Sequence, residues 1–89
     1  MSDFVFLFTN KAKSDLKVIN KNEILYERVK SIIESIAENP ISGIGKPEKL
    51  KHRGNNAWSR RVSDKDRLEY IIRQNEIIIV SILGHYDDK

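Results

Sequence analysis

The sequence predicts an α+β fold: an N-terminal strand, a helical hairpin, and then a twisted antiparallel sheet with the helices on one face. Three observations carry that prediction. Apolar residues recur at three- and four-residue spacing over residues 11–38, the repeat of a helix with one buried face. After Pro40 that period stops and glycine and proline accumulate. The last third of the chain holds extended apolar or alternating stretches joined by polar turns of two or three residues, too short for anything but antiparallel neighbours. A chain of 89 residues supports one domain, residues 1–89, around a single modest core.

"DFVFLF", residues 3–8, is a run of bulky apolar residues and reads as a buried strand. Thr9 or Asn10 then caps a short helix through "KAKSDLKVI", because a short polar side chain there accepts an orphaned N–H of the first turn. Ala12, Leu16 and Ile19 share one face of it. The following stretch, "NKNEILYERVKSIIESIAENP", is the clearest helix. Ile24, Leu25, Val29, Ile32, Ile33, Ile36 and Ala37 make its apolar stripe, and Glu23, Glu27, Lys30, Glu34 and Glu38 lie mostly opposite. Asn20 with Glu23 resembles a capping box, with Asn22 as a rival cap. Pro40 ends the helix by excluding the helical region at Asn39.

"ISGIGKPEKLKHRGNN" reads as loop, with a short edge strand around Lys49–Lys51. "AWSRRVS" alternates, with Trp58, Arg60 and Val62 on one face and Ser59, Arg61 and Ser63 on the other. "DKD" turns the chain. In "RLEYIIR", Leu68, Tyr70 and Ile72 point inward and Arg67, Glu69 and Arg73 largely outward. "QN" turns it again. "EIIIVSILGHY" is apolar on both parities and reads as a central strand covered, at least in part, on both faces.

Composition narrows the function. The absence of cysteine excludes a disulfide framework and a thiolate metal site, and fits a reducing cytoplasm. "FVFLF" is too short to span a membrane and lacks the flanks of a signal peptide, so no membrane role is expected. The net charge of +3 is unevenly distributed. Residues 1–44 are neutral, residues 68–89 carry −2, and residues 45–67 carry eight basic against three acidic side chains. Such a concentrated segment suits a polyanion, although a solvated hairpin surface would look the same.

Glu48 is the only acid between Lys46 and Arg61. Arg67 opens one strand, and His85 and Tyr86 close its neighbour. A two-residue turn at Gln74–Asn75 sets Arg73 against Glu76 and Arg67 against Ile82, leaving His85 three residues further along, roughly 10 Å. RNA supplies its own nucleophile, the ribose 2′-OH. Its cleavage is helped by a general base, a general acid and a cation for the phosphate. Glu48 fits the base, His85 the acid and Arg67 the cation. No metal or other cofactor is expected, since two histidines without a carboxylate cluster make a poor metal site. Taken singly, each residue has a plainer reading. Glu48 could pair with Lys46 or Lys51, Arg67 with Glu69 or Asp64, and His85 could simply end a strand. Tyr86 and Trp58 could be packing rings, and nothing marks His52.

"GKPEKLKH", "WSRRVSDKDRLEY" and the closing "GHY", in this order and spacing, resemble the YoeB/Txe family of toxins within the RelE-like group. The resemblance covers Gly45 to Tyr86. It implies a microbial RNase-like fold and the toxin of a type II toxin–antitoxin system. The implied activity is that of a ribosome-dependent endoribonuclease cutting messenger RNA, held in check by a cognate antitoxin protein. It leaves open whether the toxin is a monomer or a homodimer. The family's catalytic glutamate falls on Glu48, its arginine on Arg67, and its terminal histidine and tyrosine on His85 and Tyr86. Lys51, Arg60 and Arg61, together with Lys46 of the basic segment, are the expected RNA contacts. The chain departs from the pattern in its Asp87-Asp88-Lys89 tail. Strict strand alternation also sends His85 and Tyr86 to opposite faces, so a shared site requires the strand to end, twist or bulge near Gly84. Two other classes compete. One is a non-catalytic RNA- or ribosome-binding inhibitor. The other is a RelE-like fold turned to a protein target such as a DNA topoisomerase, which would not need Glu48, Arg67 and His85 together.

Overall fold

Thr9 ends the first strand and starts the first helix. Its hydroxyl accepts the N–H of Ala12 at 3.1 Å and donates to the carbonyl of Val80 at 2.6 Å, so one side chain caps a helix and ties it to a distant strand. The computed structural model describes residues 4–51, 54 and 56–84. In chain order these form β1 (Val5–Phe8), α1 (Asn10–Ile19), α2 (Glu23–Glu38), β2 (Glu48–Lys49), β3 (Ala57–Arg61), β4 (Arg67–Arg73) and β5 (Glu76–Gly84).

Of the two candidate caps for α2, Asn22 is the one used. Its Oδ1 accepts the N–H of Leu25 at 3.1 Å, while Asn20 closes α1 instead. Asn39 is extended, with φ −154° and ψ 108°, as Pro40 requires. Ile24 departs from the predicted apolar stripe. It lies in the first turn of α2 and is 84 % exposed.

The sheet has five strands in the order β1-β5-β4-β3-β2. β2 to β5 are antiparallel, as expected, but β1 pairs with β5 in parallel, Val5 opposite Glu76 and Phe8 opposite Ile79, so the sheet is mixed. Parallel neighbours need a long connection, and the chain between β1 and β5 includes both helices and the other three strands. β1 is also less buried than its composition suggests. It lies at the sheet edge, with Val5 and Leu7 exposed and Phe6 and Phe8 packed against the core. The edge strand β2 comes one residue earlier than predicted and is two residues long.

Both helices contribute to one core. Ala12 and Ile19 of α1 and Val29, Ile32 and Ile36 of α2 meet Leu68 and Tyr70 of β4 and Ile77, Ile79 and Ile82 of β5. Each buried aliphatic side chain contributes about 1.5–3 kcal/mol of transfer free energy. Among the described residues, no helix is long and apolar enough to cross a membrane.

The pairing of β4 with β5 contains an irregularity that bears on the site. The turn at Gln74–Asn75 has two residues, and Arg73 does face Glu76. The simple register then holds to Tyr70, opposite Ile79. It shifts at Glu69, opposite Ser81, and again at Arg67, which faces Gly84 and not Ile82. The buried parity of β5 changes with it, from Ile77 and Ile79 to Ile82. Extra residues on one strand of an antiparallel pair constitute a β-bulge, which bends the strand and re-aims the side chains beyond it.

Candidate active site

The loop into β2 lies close against β3. The N–H of Arg61 donates to the carbonyl of Gly45 at 2.6 Å. Gly45 has φ +82°, and a Cβ there would sit 3.2 Å from both the Arg60 Cβ and the Arg61 carbonyl oxygen, so the approach depends on glycine. Lys46 comes next, with φ 50°, and Glu48 then enters β2 opposite Ser59.

This placement brings two predicted residues together. Arg67 reaches from β4 across β3, and its Nη1 lies 3.4 Å from Glu48 Oε1. The Glu48 side chain is 65 % exposed and that of Arg67 29 %. The contact is longer than a tight charge-assisted hydrogen bond, about 2.7–2.9 Å, and an exposed pair of this kind adds little to stability. This contact by itself therefore opposes only weakly the turning of the exposed Glu48 carboxylate to a ligand. The bulged register adds a third element, because β5 ends at Gly84 directly opposite Arg67. His85 is the next residue in sequence. His85 and Tyr86 lie outside the described residues.

Arg61 pairs with Arg67 at the end of β3, whereas Lys51 follows Leu50 at its opposite end. Lys46, Lys51 and Arg61 are exposed. Arg60 is not, and its burial overturns the expected RNA contact: it is 0 % exposed. Its Nε donates to the Tyr70 hydroxyl at 3.0 Å. Nη1 donates to Ser35 Oγ at 2.9 Å and the Ile44 carbonyl at 3.0 Å. Nη2 donates to the carbonyls of Asn39 at 2.8 Å and Ser42 at 3.1 Å. The guanidinium also lies 5.8 Å from the centroid of the Tyr70 ring, within cation–π range. Tyr70 in turn donates to the Pro40 carbonyl at 2.6 Å. Burial raises the Tyr70 pKa, with Arg60 partly offsetting the rise. Arg60 and Tyr70 thus fasten the loop from Asn39 to Ile44 that leads into Gly45–Glu48. Alternation along β3 groups Arg60 with Trp58 and Val62, but Ser59 on the other parity is buried as well, so parity alone does not bury Arg60. Residue type suggested a phosphate contact, and the acceptors brought round by Ser35 and the loop after α2 decided the outcome.

Sequence reasoning assigned no site role to the row beside Glu48. Across the sheet run Glu48, Ser59, Glu69 and Ser81 on successive strands. Ser59 is fully buried, and its hydroxyl has no hydrogen-bond partner among the described residues. Glu69, predicted to face largely outward, is 9 % exposed. An acid on the outward parity of a central strand reads as solvated, and only the surrounding fold reveals its burial.

Comparison with known proteins agrees with this layout. A family model described as "YoeB-like toxin of bacterial type II toxin-antitoxin system" matches residues 8–86. Toxin YoeB of Synechocystis is 42 % identical over 62 residues, 70 % of this chain and 72 % of the relative. The YoeB dimer from Staphylococcus aureus superposes with a TM-score of 0.86 at 33 % identity, covering 96 % of this chain and all of the other. The toxin in the heterotetrameric YoeB–YefM toxin–antitoxin complex from the same organism superposes with a TM-score of 0.82 at the same identity and coverage. Sequence and fold agree over nearly the whole length, and the chain belongs to the YoeB-like toxins of bacterial type II toxin–antitoxin systems.

Proposed function

We propose that this toxin is a metal-independent endoribonuclease that cuts messenger RNA in the cytoplasm, on the ribosome, and so stops translation. In this reading the Glu48 carboxylate takes the proton of a ribose 2′-OH. The 2′ oxygen attacks the adjacent phosphorus, and the bond to the 5′ oxygen of the next nucleotide breaks. Arg67 neutralises the charge that grows on the phosphoryl oxygens. His85 or Tyr86 supplies the proton to the leaving 5′ oxygen. A tyrosine, with an ordinary pKa of about 10, holds its proton at neutral pH and suits the donor role. The products are a 2′,3′-cyclic phosphate and a 5′-hydroxyl. Lys46, Lys51 and Arg61 hold the flanking backbone.

The observation that carries this reading is the Glu48–Arg67 pair. A carboxylate and a guanidinium 3.4 Å apart, the first exposed and the second partly so, can engage the 2′-OH and the phosphate of one linkage together. The solved complex with YefM supports a cognate antitoxin for this chain, and the S. aureus dimer supports a homodimeric state.

Primer extension on a message in a translating extract tests the activity. The native chain is expected to produce cuts at fixed codon positions, and Glu48→Ala and His85→Ala are each expected to abolish them. Translation that stops with no cuts would instead identify a non-catalytic ribosome- or RNA-binding inhibitor.

A further inference from the structure

Asp15 sits mid-helix on the buried face of α1, a position where a leucine would ordinarily pack. It is 6 % exposed. Its Oδ2 accepts two successive backbone N–H groups of β5, from Ile82 at 2.9 Å and Leu83 at 3.0 Å. Lys11 Nζ, one turn earlier on the same helix, lies 2.7 Å from Oδ1 and 2.9 Å from Oδ2. Burying a carboxylate is unfavourable unless it is paired and hydrogen-bonded, and here both conditions are met.

The geometry of the two N–H groups is informative. In a regular strand, successive N–H groups point to opposite sides, so one oxygen cannot accept both. They converge only where the ladder is interrupted, and that is where the register slips: Glu69 faces Ser81, but Arg67 faces Gly84. Thr9 holds the same segment through the Val80 carbonyl. Thr9 at the N-cap of α1 and Asp15 within it therefore grip β5 over the residues where its register changes.

We infer that Asp15 is a positioning residue for the site: by accepting the Ile82 and Leu83 N–H groups together on one oxygen, it fixes the bulge that sets Gly84 opposite Arg67. It thereby fixes the backbone at Gly84, the residue that precedes His85 in sequence. Asp15 acts through backbone and touches no substrate. The catalytic consequence rests on the nuclease reading above; the geometric consequence does not.

The test compares Asp15→Ala and Asp15→Asn with the native chain, measuring kcat and KM for message cleavage on ribosomes. Backbone and His85-ring NMR shifts are recorded on the same proteins. The asparagine keeps an oxygen for both N–H groups and is expected to retain kcat within about threefold. The alanine lacks the acceptor and is expected to lose about ten- to a hundredfold in kcat with KM unchanged, the signature of misplaced reacting groups. Its Gly84 and His85 resonances are expected to move, while those of Gly45 and Lys46 stay. Loss in proportion to the unfolded fraction, a rise in KM alone, or unmoved Gly84 and His85 signals would overturn the inference. Should the alanine variant fail to fold, a semisynthetic chain with an ester in place of the Leu83 amide removes one donor and leaves Asp15 intact. The same split is expected of it, and native kcat with unmoved Gly84 and His85 signals would overturn the inference. A native chain that cuts nothing refutes the nuclease reading, and the NMR shifts still decide the positioning role.

Discussion

Two adjacent arginines in the basic segment have opposite fates. Arg61 is exposed, and Arg60 is enclosed by five acceptor contacts, none of them from a carboxylate. Neutral oxygens satisfy its donors but leave little tolerance for substitution, because a lysine cannot reproduce a planar fork that serves Asn39, Ser42 and Ile44 at once. Arg60→Lys is expected to destabilise the fold by about 3 kcal/mol in urea unfolding, through the loss of the fork that holds the Asn39, Ser42 and Ile44 carbonyls and the Ser35 and Tyr70 hydroxyls and through burial of an ammonium short of acceptors in its place. Arg61→Ala is expected to change stability by less than about 0.5 kcal/mol, as exposed substitutions do. The pair separates a loop anchor from a candidate RNA contact by stability alone, before any activity is measured.

At the scale of elements, α1 does more for β5 than cover it. Thr9 and Asp15 bind its backbone at Val80, Ile82 and Leu83. Burial raises the Asp15 pKa, but the N–H of Leu83, the Lys11 ammonium and the N–H of Ile82 outweigh it, and the net value lies below that of an ordinary aspartate. A carboxyl whose folded pKa is depressed stabilises the fold above its unfolded pKa of about 3.9, and that contribution is lost as pH falls through the lower folded value. Urea midpoints measured from about pH 5 downward are therefore expected to fall more steeply for the native chain than for Asp15→Asn, which has no proton to take up. Equal slopes would mean that Asp15 is not ionised against these N–H groups.

For the whole molecule, the sheet separates two functions. One face carries the helices and the core. Glu48, Arg67 and the end of β5 come together at one end of the sheet, with the exposed Arg61 paired to Arg67 there. If Lys46, Lys51 and Arg61 bind RNA phosphates, each lost cation reduces the salt dependence of binding. The triple alanine variant is expected to lower the slope of log K against log salt by about 2, at about 0.7 per contact for a single strand. An unchanged slope would move the RNA path elsewhere on the surface. The core is small, so it has little reserve. Ile36→Ala is expected to destabilise by about 2–5 kcal/mol, a large share of the about 5–15 kcal/mol typical of a domain, and this is readable as a lower urea midpoint.

Much of the fold was legible locally. The helices were evident from the spacing of Ala12, Leu16 and Ile19 and of Val29, Ile32 and Ile36, and the turns from "DKD" and "QN". Pro40 marked the helix end, and "GKPE" with "DRL" pointed to Glu48 and Arg67. These features depend on neighbours in sequence: period, capping, turn chemistry and motif order. What the sequence could not determine was any property set by partners far along the chain. The parallel pairing of β1 depends on β5, about seventy residues later in the register. The burial of Arg60 depends on carbonyls brought round by the loop after α2. The meeting of Arg67 with Gly84 depends on a carboxylate from α1, 67 residues from Ile82. Local sequence can encode a strand and its turn, but a bulge held by a side chain from another element exists only once the two are packed together.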